Sequence, residues 1–242
     1  QSITDLLKQA NNILCTVSKN PSVDQLAAAI GFTLTLNKLG KHAIAVFSGE
    51  IPSTIEFLKP EDTFEKNTDS LRDFIISLDK AKADKLRYKV EDQMVKIFIT
   101  PYRTSLSDKD LEFSQGDFNV EVVVALGVKE QQDLDDAITS QGRILHDATV
   151  ININTVGETT LGTLNWSNPK ASSLCEMMIG LIEPMKTGRI DAQIATAFLT
   201  GIVAETDRFS YEKTTPATMQ GGSKHMAAGA NQHRVHTQLQ PH

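Results

Sequence analysis

Residues 13 to 47 run from an apolar strand through a long helix to a second apolar strand, and this succession limits the fold more than any other feature of the chain. The first strand, residues 13 to 17 (ILCTV), is broken by Ser18-Lys19-Asn20-Pro21. Ser22-Val23-Asp24-Gln25 then has the Ser-x-x-Gln form of a capping box, in which the two side chains satisfy each other's backbone N–H groups. Leu26, Ala27, Ile30, Leu34 and Leu36 predict a buried helix ending at Gly40, and residues 42 to 47 (HAIAVF) the next strand. Strand, helix and strand within about 35 residues make a βαβ unit, which implies a parallel sheet with ligands gathered at the carboxyl ends of its strands. Residues 18 to 25 are therefore the first place to look for chemistry.

A second such stretch begins with residues 120 to 128 (VEVVVALGV), a continuous apolar run of the kind buried on both faces. An acidic helical segment near residues 130 to 140 and a strand over 149 to 153 follow. Helices are predicted over 3 to 12, over 171 to 182 after the Asn168-Pro169 turn, and over 191 to 205. A last helix is predicted over 216 to 228, with Pro216 in its first turn. Met177, Leu181, Phe198 and Phe209 are core by pattern.

Between the two units the character changes. Residues 74 to 78, 86 to 90, 95 to 99 and 111 to 113 read as short strands, the middle pair a hairpin around Glu91-Asp92-Gln93. The period of two puts Lys85, Arg87 and Lys89 on one face and Leu86, Tyr88 and Val90 on the other. Residues 80 to 109 hold eight Lys/Arg against four Asp/Glu, a surplus of +4 that leaves −10 for the rest of a chain whose total is −6. The expectation is an α/β parallel-sheet domain over residues 1–69 and 120–242, interrupted by a small basic β insertion over 70–119.

Composition narrows the classes further. With only Cys15 and Cys175, 160 positions apart, neither a disulfide framework nor a four-thiolate zinc site can form, and free buried thiols are expected. No apolar run approaches the roughly 18 residues that span a bilayer, and the first residues lack the order of a signal peptide. The expectation is a cytoplasmic protein without membrane contact. A pI near 5.5 argues against wholesale polyanion binding and leaves room for a local basic patch. Phosphate loops, zinc-protease motifs, nucleophile elbows and dinucleotide fingerprints are absent from the sequence.

Several stretches together resemble one family. Ile13-Leu-Cys-Thr-Val-Ser-Lys-Asn-Pro-Ser-Val-Asp24 resembles a strand followed by His-x-Asn-Pro-Asp-x-Asp, and Val122-Val-Val-Ala-Leu-Gly127 a strand that ends in Asp. Asn152-Ile153-Asn154 stands where an Asp-His-His would, followed by Gly162, Asn165 and Ala171-Ser-Ser. Thr200-Gly-Ile-Val-Ala-Glu205-Thr-Asp-Arg-Phe209 resembles a fourth motif, and Thr214-Thr-Pro-Ala-Thr218 with Gly229-Ala-Asn a closing helix. These are the motifs of the N-terminal domain of the DHH phosphoesterases, and the resemblance spans residues 1 to 60 and 119 to 240. It implies a parallel-sheet hydrolase domain in which two divalent ions, usually manganese, activate a hydroxide that attacks phosphorus.

The motif residues depart from that pattern. Position by position, the expected His is Ser18, the two aspartates after it are Ser22 and Asp24, and the second-motif Asp is Gly127. The Asp-His-His is Asn152, Ile153 and Asn154, and the fourth-motif Asp is Glu205. Only Asp24 and Glu205 keep a carboxylate, and neutral hydroxyls and amides hold hard divalent ions weakly. The resemblance therefore implies a degenerate phosphoesterase, a pseudoenzyme, that binds a nucleotide or short single-stranded oligonucleotide in its former active-site cleft. The ligand-binding set is Ser18, Asn20, Ser22, Asp24, Asn152, Asn154 and Glu205. No tightly bound cofactor is expected; a single manganese or magnesium on Asp24 and Glu205, which are also the catalytic candidates, is the most the set would hold. Two alternatives stay open: a phosphodiesterase with a reduced or relocated metal site, and a non-catalytic interaction scaffold. A homodimer is compatible with each.

Each candidate also has a plainer role. Asp24 in a first helical turn favours the helix dipole, and Ser22 caps whether or not a ligand is near. Asn152 and Asn154 can simply end a strand, and Glu205 can pair with Arg208. His146 with Asp147 reads as an acid–base pair or as a strand-edge histidine. His225, His233, His236 and His242 fit no zinc spacing closely and read as solvated surface. Lys85, Arg87 and Lys89 read as nucleic-acid contacts or as the wet face of a hairpin.

Overall fold

The computed structural model describes residues 2–185, 188 and 190–206. The expected helix over 216 to 228, Phe209, the Asp207-Arg208 pair and the four C-terminal histidines lie outside the described residues. The chain divides into two compact units, residues 1–69 with 120–242 and residues 70–119.

In the larger unit the order is α1 (Ser2–Gln9), β1 (Asn12–Val17), α2 (Val23–Lys38), β2 (His42–Val46) and β3 (Phe64–Glu65). The smaller unit then supplies β4 (Arg72–Ser77), β5 (Lys85–Glu91), β6 (Met94–Thr100) and β7 (Glu112–Phe118). The larger unit resumes with β8 (Val122–Leu126), α3 (Asp136–Thr139), α4 (Arg143–Asp147), β9 (Thr149–Asn154), β10 (Leu164–Ser167), α5 (Leu174–Ile182) and α6 (Ala192–Glu205). Six strands form one sheet in the order β10-β9-β8-β1-β2-β3. Every pairing in it is parallel. The α/β parallel-sheet fold expected from the two βαβ stretches is the fold observed.

Local chemistry explains the boundaries. The Ser22 hydroxyl accepts from the Gln25 N–H at 3.1 Å while the Gln25 side-chain oxygen accepts from the Ser22 N–H at 2.8 Å, so α2 starts with the capping box its sequence spells. It ends at Leu39 and Gly40, where φ is +86° and a Cβ would be strained. Asn37 then locks the return to β2 by donating to the Ala43 carbonyl and accepting from its N–H, at 2.9 and 2.8 Å. Asp191 caps α6 through the Ile194 N–H and pairs with Lys38 of α2 at 2.9 Å. Helices α2, α5 and α6 pack together, and α2 lies on the sheet. The α2–α6 contact is close enough that a Cβ on Gly31 would meet the Phe198 ring at 2.6 Å. Cys15 and Cys175 are both free and buried in this core.

The acidic segment near residues 130 to 140 is not one helix. It is a 3-10 turn over Gln131–Asp133 followed by the short α3 and α4. The buried Asp135 breaks it, because its carboxylate is spent capping Ala137 and holding the N–H and hydroxyl of Ser48. Helix α5 begins three residues after the expected start, since Ala171 closes a turn on Asn168 and Ser173 is the cap. Leu34 is half-buried rather than core. Strands β3 and β10 carry too few apolar residues to announce themselves.

The smaller unit consists of two ribbons, β4 with β7 and β5 with β6. The expected hairpin turns at Asp92 and Gln93, both at positive φ (54° and 63°), the left-handed pair that matches strand twist in a two-residue loop. Its register sets Leu86 opposite Ile99, Tyr88 opposite Ile97 and Val90 opposite Val95. Strand β7 extends to Phe118, well past the expected 113, because it pairs along β4 through residues with little apolar alternation.

Substituting Gly31→Ala should lower stability by about 1–3 kcal/mol through overpacking against Phe198. Urea unfolding checks it, and Phe198→Leu in the same chain should return part of the loss.

Candidate functional site

The chain winds outward from β1 to β2 and β3, then returns to place β8 on the other side of β1 and winds outward again through β9 and β10. The switch point of the sheet is thus between β1 and β8, where open parallel sheets leave a crevice at their carboxyl ends. A cavity of about 280 Å³ lies there, lined by Ser18, Lys19, Asn20, Gln25, Gly127, Lys129 and Asp133. The loops are tied across it: Lys19 N–H donates to the Asp133 carbonyl at 2.9 Å, and Ser18 bridges to Leu134.

Gln25 closes the floor of this crevice. Its side-chain nitrogen donates to the Ser18 hydroxyl at 2.9 Å, to the Leu126 carbonyl at 3.0 Å and to the Gly127 carbonyl at 3.2 Å. Gly127 is at φ +71°, and a Cβ there would sit 2.5 Å from that nitrogen. Any side chain at position 127 would have to displace the carboxamide.

Asn152 and Asn154 stand at the end of β9, fully buried. Both spend their amide hydrogens on the Val128 carbonyl, at 3.0 and 2.8 Å. Asn152 also donates to Thr159, and Asn154 accepts from the Val156 N–H at 3.3 Å. They hold the β8 and β9 exits together.

Asp24 is turned into the helical layer rather than the crevice. Only 3% exposed, it accepts from the Leu174 N–H at 2.7 Å and from the Cys175 N–H at 3.1 Å, so its carboxylate sits on the first turn of α5 beside the Ser173 cap. Burial pushes its pKa up to about 7 against those hydrogen bonds, and the charge of Glu205 adds to the rise. Burial, Asp24 and Glu205 together drive the Cys175 thiol well above its ordinary value. Gly201 of α6 leaves the room for this cluster: a Cβ there would lie 2.2 Å from the Cys175 sulfur and 2.8 Å from an Asp24 oxygen.

The remaining expected residues are placed as follows. Ser18 and Asn20 line the crevice, and the Ser22 hydroxyl is engaged in its cap. Glu205 ends α6, half-buried and electrostatically coupled to Asp24. His146 and Asp147 make an exposed pair at 3.1 Å on α4. In the smaller unit Arg87 lies 4.1 Å over the Phe98 ring, and Lys89 and Lys96 both pair with Glu91. Lys19, Lys129 and Asp133 were missed by sequence reasoning. Lys19 lies within the 18 to 25 junction but at a position the motif leaves open, Lys129 and Asp133 carry no motif, and only the sheet order brings residue 19 beside residue 129.

The metal pair implied by the resemblance does not fit these side chains. Gln25 fills the space beside position 127, both oxygens of Asp24 are taken by α5, and the remaining crevice donors apart from Asp133 are neutral or cationic. Among the described residues, no cluster of three or more His, Cys, Asp or Glu is arranged to hold an ion.

Comparison with known proteins places the fold. No family model matches the chain. A stretch of 73 residues is 36% identical to the uncharacterized MG371 homolog of Mycoplasma pneumoniae, covering 30% of this chain and 22% of that protein. Among solved structures, an exopolyphosphatase-related protein from Bacteroides fragilis superposes with a TM-score of 0.70 at 14% identity, over 98% of this chain and 58% of its own. A candidate family II inorganic pyrophosphatase from Methanococcus jannaschii gives 0.51 at 14% identity, over 94% and 60%. The chain shares its fold with these two structures and spans under two thirds of the length of each of the three proteins named. No helix among the described residues is long and apolar enough to cross a membrane.

Because the folded pKa of Asp24 lies above its ordinary 3.8, the folded state binds the extra proton between about pH 4 and 7. Stability should therefore fall as pH rises through that window, by at most about 1.4 kcal/mol per pH unit, and level off above it. Urea titrations across the range should show the decline in the wild type and a flatter profile in Asp24→Asn.

Proposed function

We propose that the chain is a phosphoesterase-like protein whose crevice binds a phosphate-bearing ligand, a nucleotide or short oligonucleotide, without hydrolysing it efficiently. The observation that carries this reading is the composition of the crevice at the switch point. Lys19 and Lys129 stand on the loops after β1 and β8, in one lining with Ser18, Asn20 and Gln25 of the first turn of the 16-residue α2. Among the described residues Asp133 is the one carboxylate in that lining. Backbone N–H groups and the dipole at a helix start favour an anion, and two lysines reinforce it. The same floor offers a metal-activated hydroxide little support, because beside Gly127 it is filled by the Gln25 amide, committed to the Leu126 and Gly127 carbonyls. The likeness to an exopolyphosphatase-related protein and a candidate pyrophosphatase supports phosphate as the recognised group.

Calorimetric titration with mononucleotides, cyclic dinucleotides, pyrophosphate and short 5′-phosphorylated RNA tests the reading. At least one should bind, Lys19→Ala with Lys129→Ala should weaken it tenfold or more, and Asp133→Asn should tighten it. Hydrolysis assays with manganese or magnesium should stay flat. An inert crevice removes the ligand, whereas turnover by the wild type with either metal restores the enzyme.

A further inference from the structure

The β5–β6 ribbon presents its most apolar face to solvent. Leu86, Tyr88 and Val90 on one strand are 68%, 75% and 65% exposed, and Val95 and Ile97 on the other are 67% and 54% exposed. Their register makes three stacked cross-strand pairs, Leu86 with Ile99, Tyr88 with Ile97 and Val90 with Val95. The charges lie on the reverse face: Lys85, Arg87, Lys89 and Lys96, where Glu91 takes both of the last two. Two-stranded ribbons are marginal in water unless something packs on them. A contiguous apolar surface of this kind marks a contact site rather than free surface.

We propose that this face is a homodimer interface, covered by the same face of a second copy of the chain. Three properties favour that occupant. The face carries no charge, so setting it against its own image across a two-fold axis brings no like charges together. Five largely exposed side chains of this size, with the half-buried Ile99 at the edge, offer on the order of 500–600 Å² per copy. Pairing two copies then buries about twice that, just above the roughly 1,000 Å² that a specific interface needs. A nucleic-acid strand would instead require cations interleaved with the rings on one face, and here the cations point the other way. The proposal is independent of the ligand in the crevice.

Sedimentation of the full chain over a wide concentration range tests it. The wild type should be a dimer, and Tyr88→Lys with Ile97→Lys should raise its dissociation constant at least a hundredfold. Reversal of Arg87 and Lys89 to glutamate should leave the dimer intact. Should the lysine variant unfold, Tyr88→Cys provides the second reading: diamide should link two copies through it, and should not link Lys89→Cys. A wild type that is monomeric throughout overturns the proposal, whether the face is then found to be covered within the chain or to bind RNA or lipid vesicles. So does a dimer that survives the double lysine substitution.

Discussion

One carboxamide ties the start of α2 to the ends of the two central strands. Gln25 is 8% exposed and engages Ser22, Ser18, Leu126 and Gly127 at once, through its oxygen and its nitrogen. Buried carbonyls left without a donor cost about 1–3 kcal/mol each, so the side chain has little freedom to move aside. Its position fixes two further features. Position 127 must be a glycine, on grounds of both backbone angle and space. The floor of the crevice must be neutral, since an amide stands where a charged side chain would project.

A second fixed point lies behind that floor. Asp24, one residue before Gln25, faces the opposite way and receives the first N–H groups of α5. Successive residues of one helical turn thus bind different layers: Asp24 joins α2 to α5, and Gln25 joins α2 to the sheet. Gly201 and Gly31 let α6 approach closely enough to complete the layer. A carboxylate that looks like a metal ligand in the sequence is here part of the helical core, and its proximity to Glu205 raises its proton affinity further.

The sheet was legible because its strands are long apolar runs and its main helix carries both a capping box and a terminal glycine. The ends of the sheet were not: β3 rests on Phe64 alone as a buried residue, and β10 mixes Leu164 and Trp166 with Asn165 and Ser167. The crevice was half legible. Ser18, Asn20 and Gly127 line the cavity at the switch point, yet a linear sequence cannot say which way an aspartate in a first turn points, and Asp24 points inward. Nor does it show that Asn152 and Asn154 share a single acceptor, Val128, which fixes them as braces between strands. Lys129 and Asp133 become neighbours of Lys19 only once β8 is known to lie beside β1.

The charge of its lining decides what the crevice attracts. A cleft built from clustered carboxylates repels a phosphate until cations bind, because its own field is negative. Among the described residues this crevice is lined instead by Lys19 and Lys129, by the neutral Ser18, Asn20, Gln25 and Gly127, and by a single carboxylate, Asp133. Such a lining favours an anion with no ion to bridge it, with one lysine on the loop after β1 and one on the loop after β8. On the proposed reading, the neutral Gln25 floor and the two lysines act together on an anion, at the switch point where a parallel sheet directs a ligand.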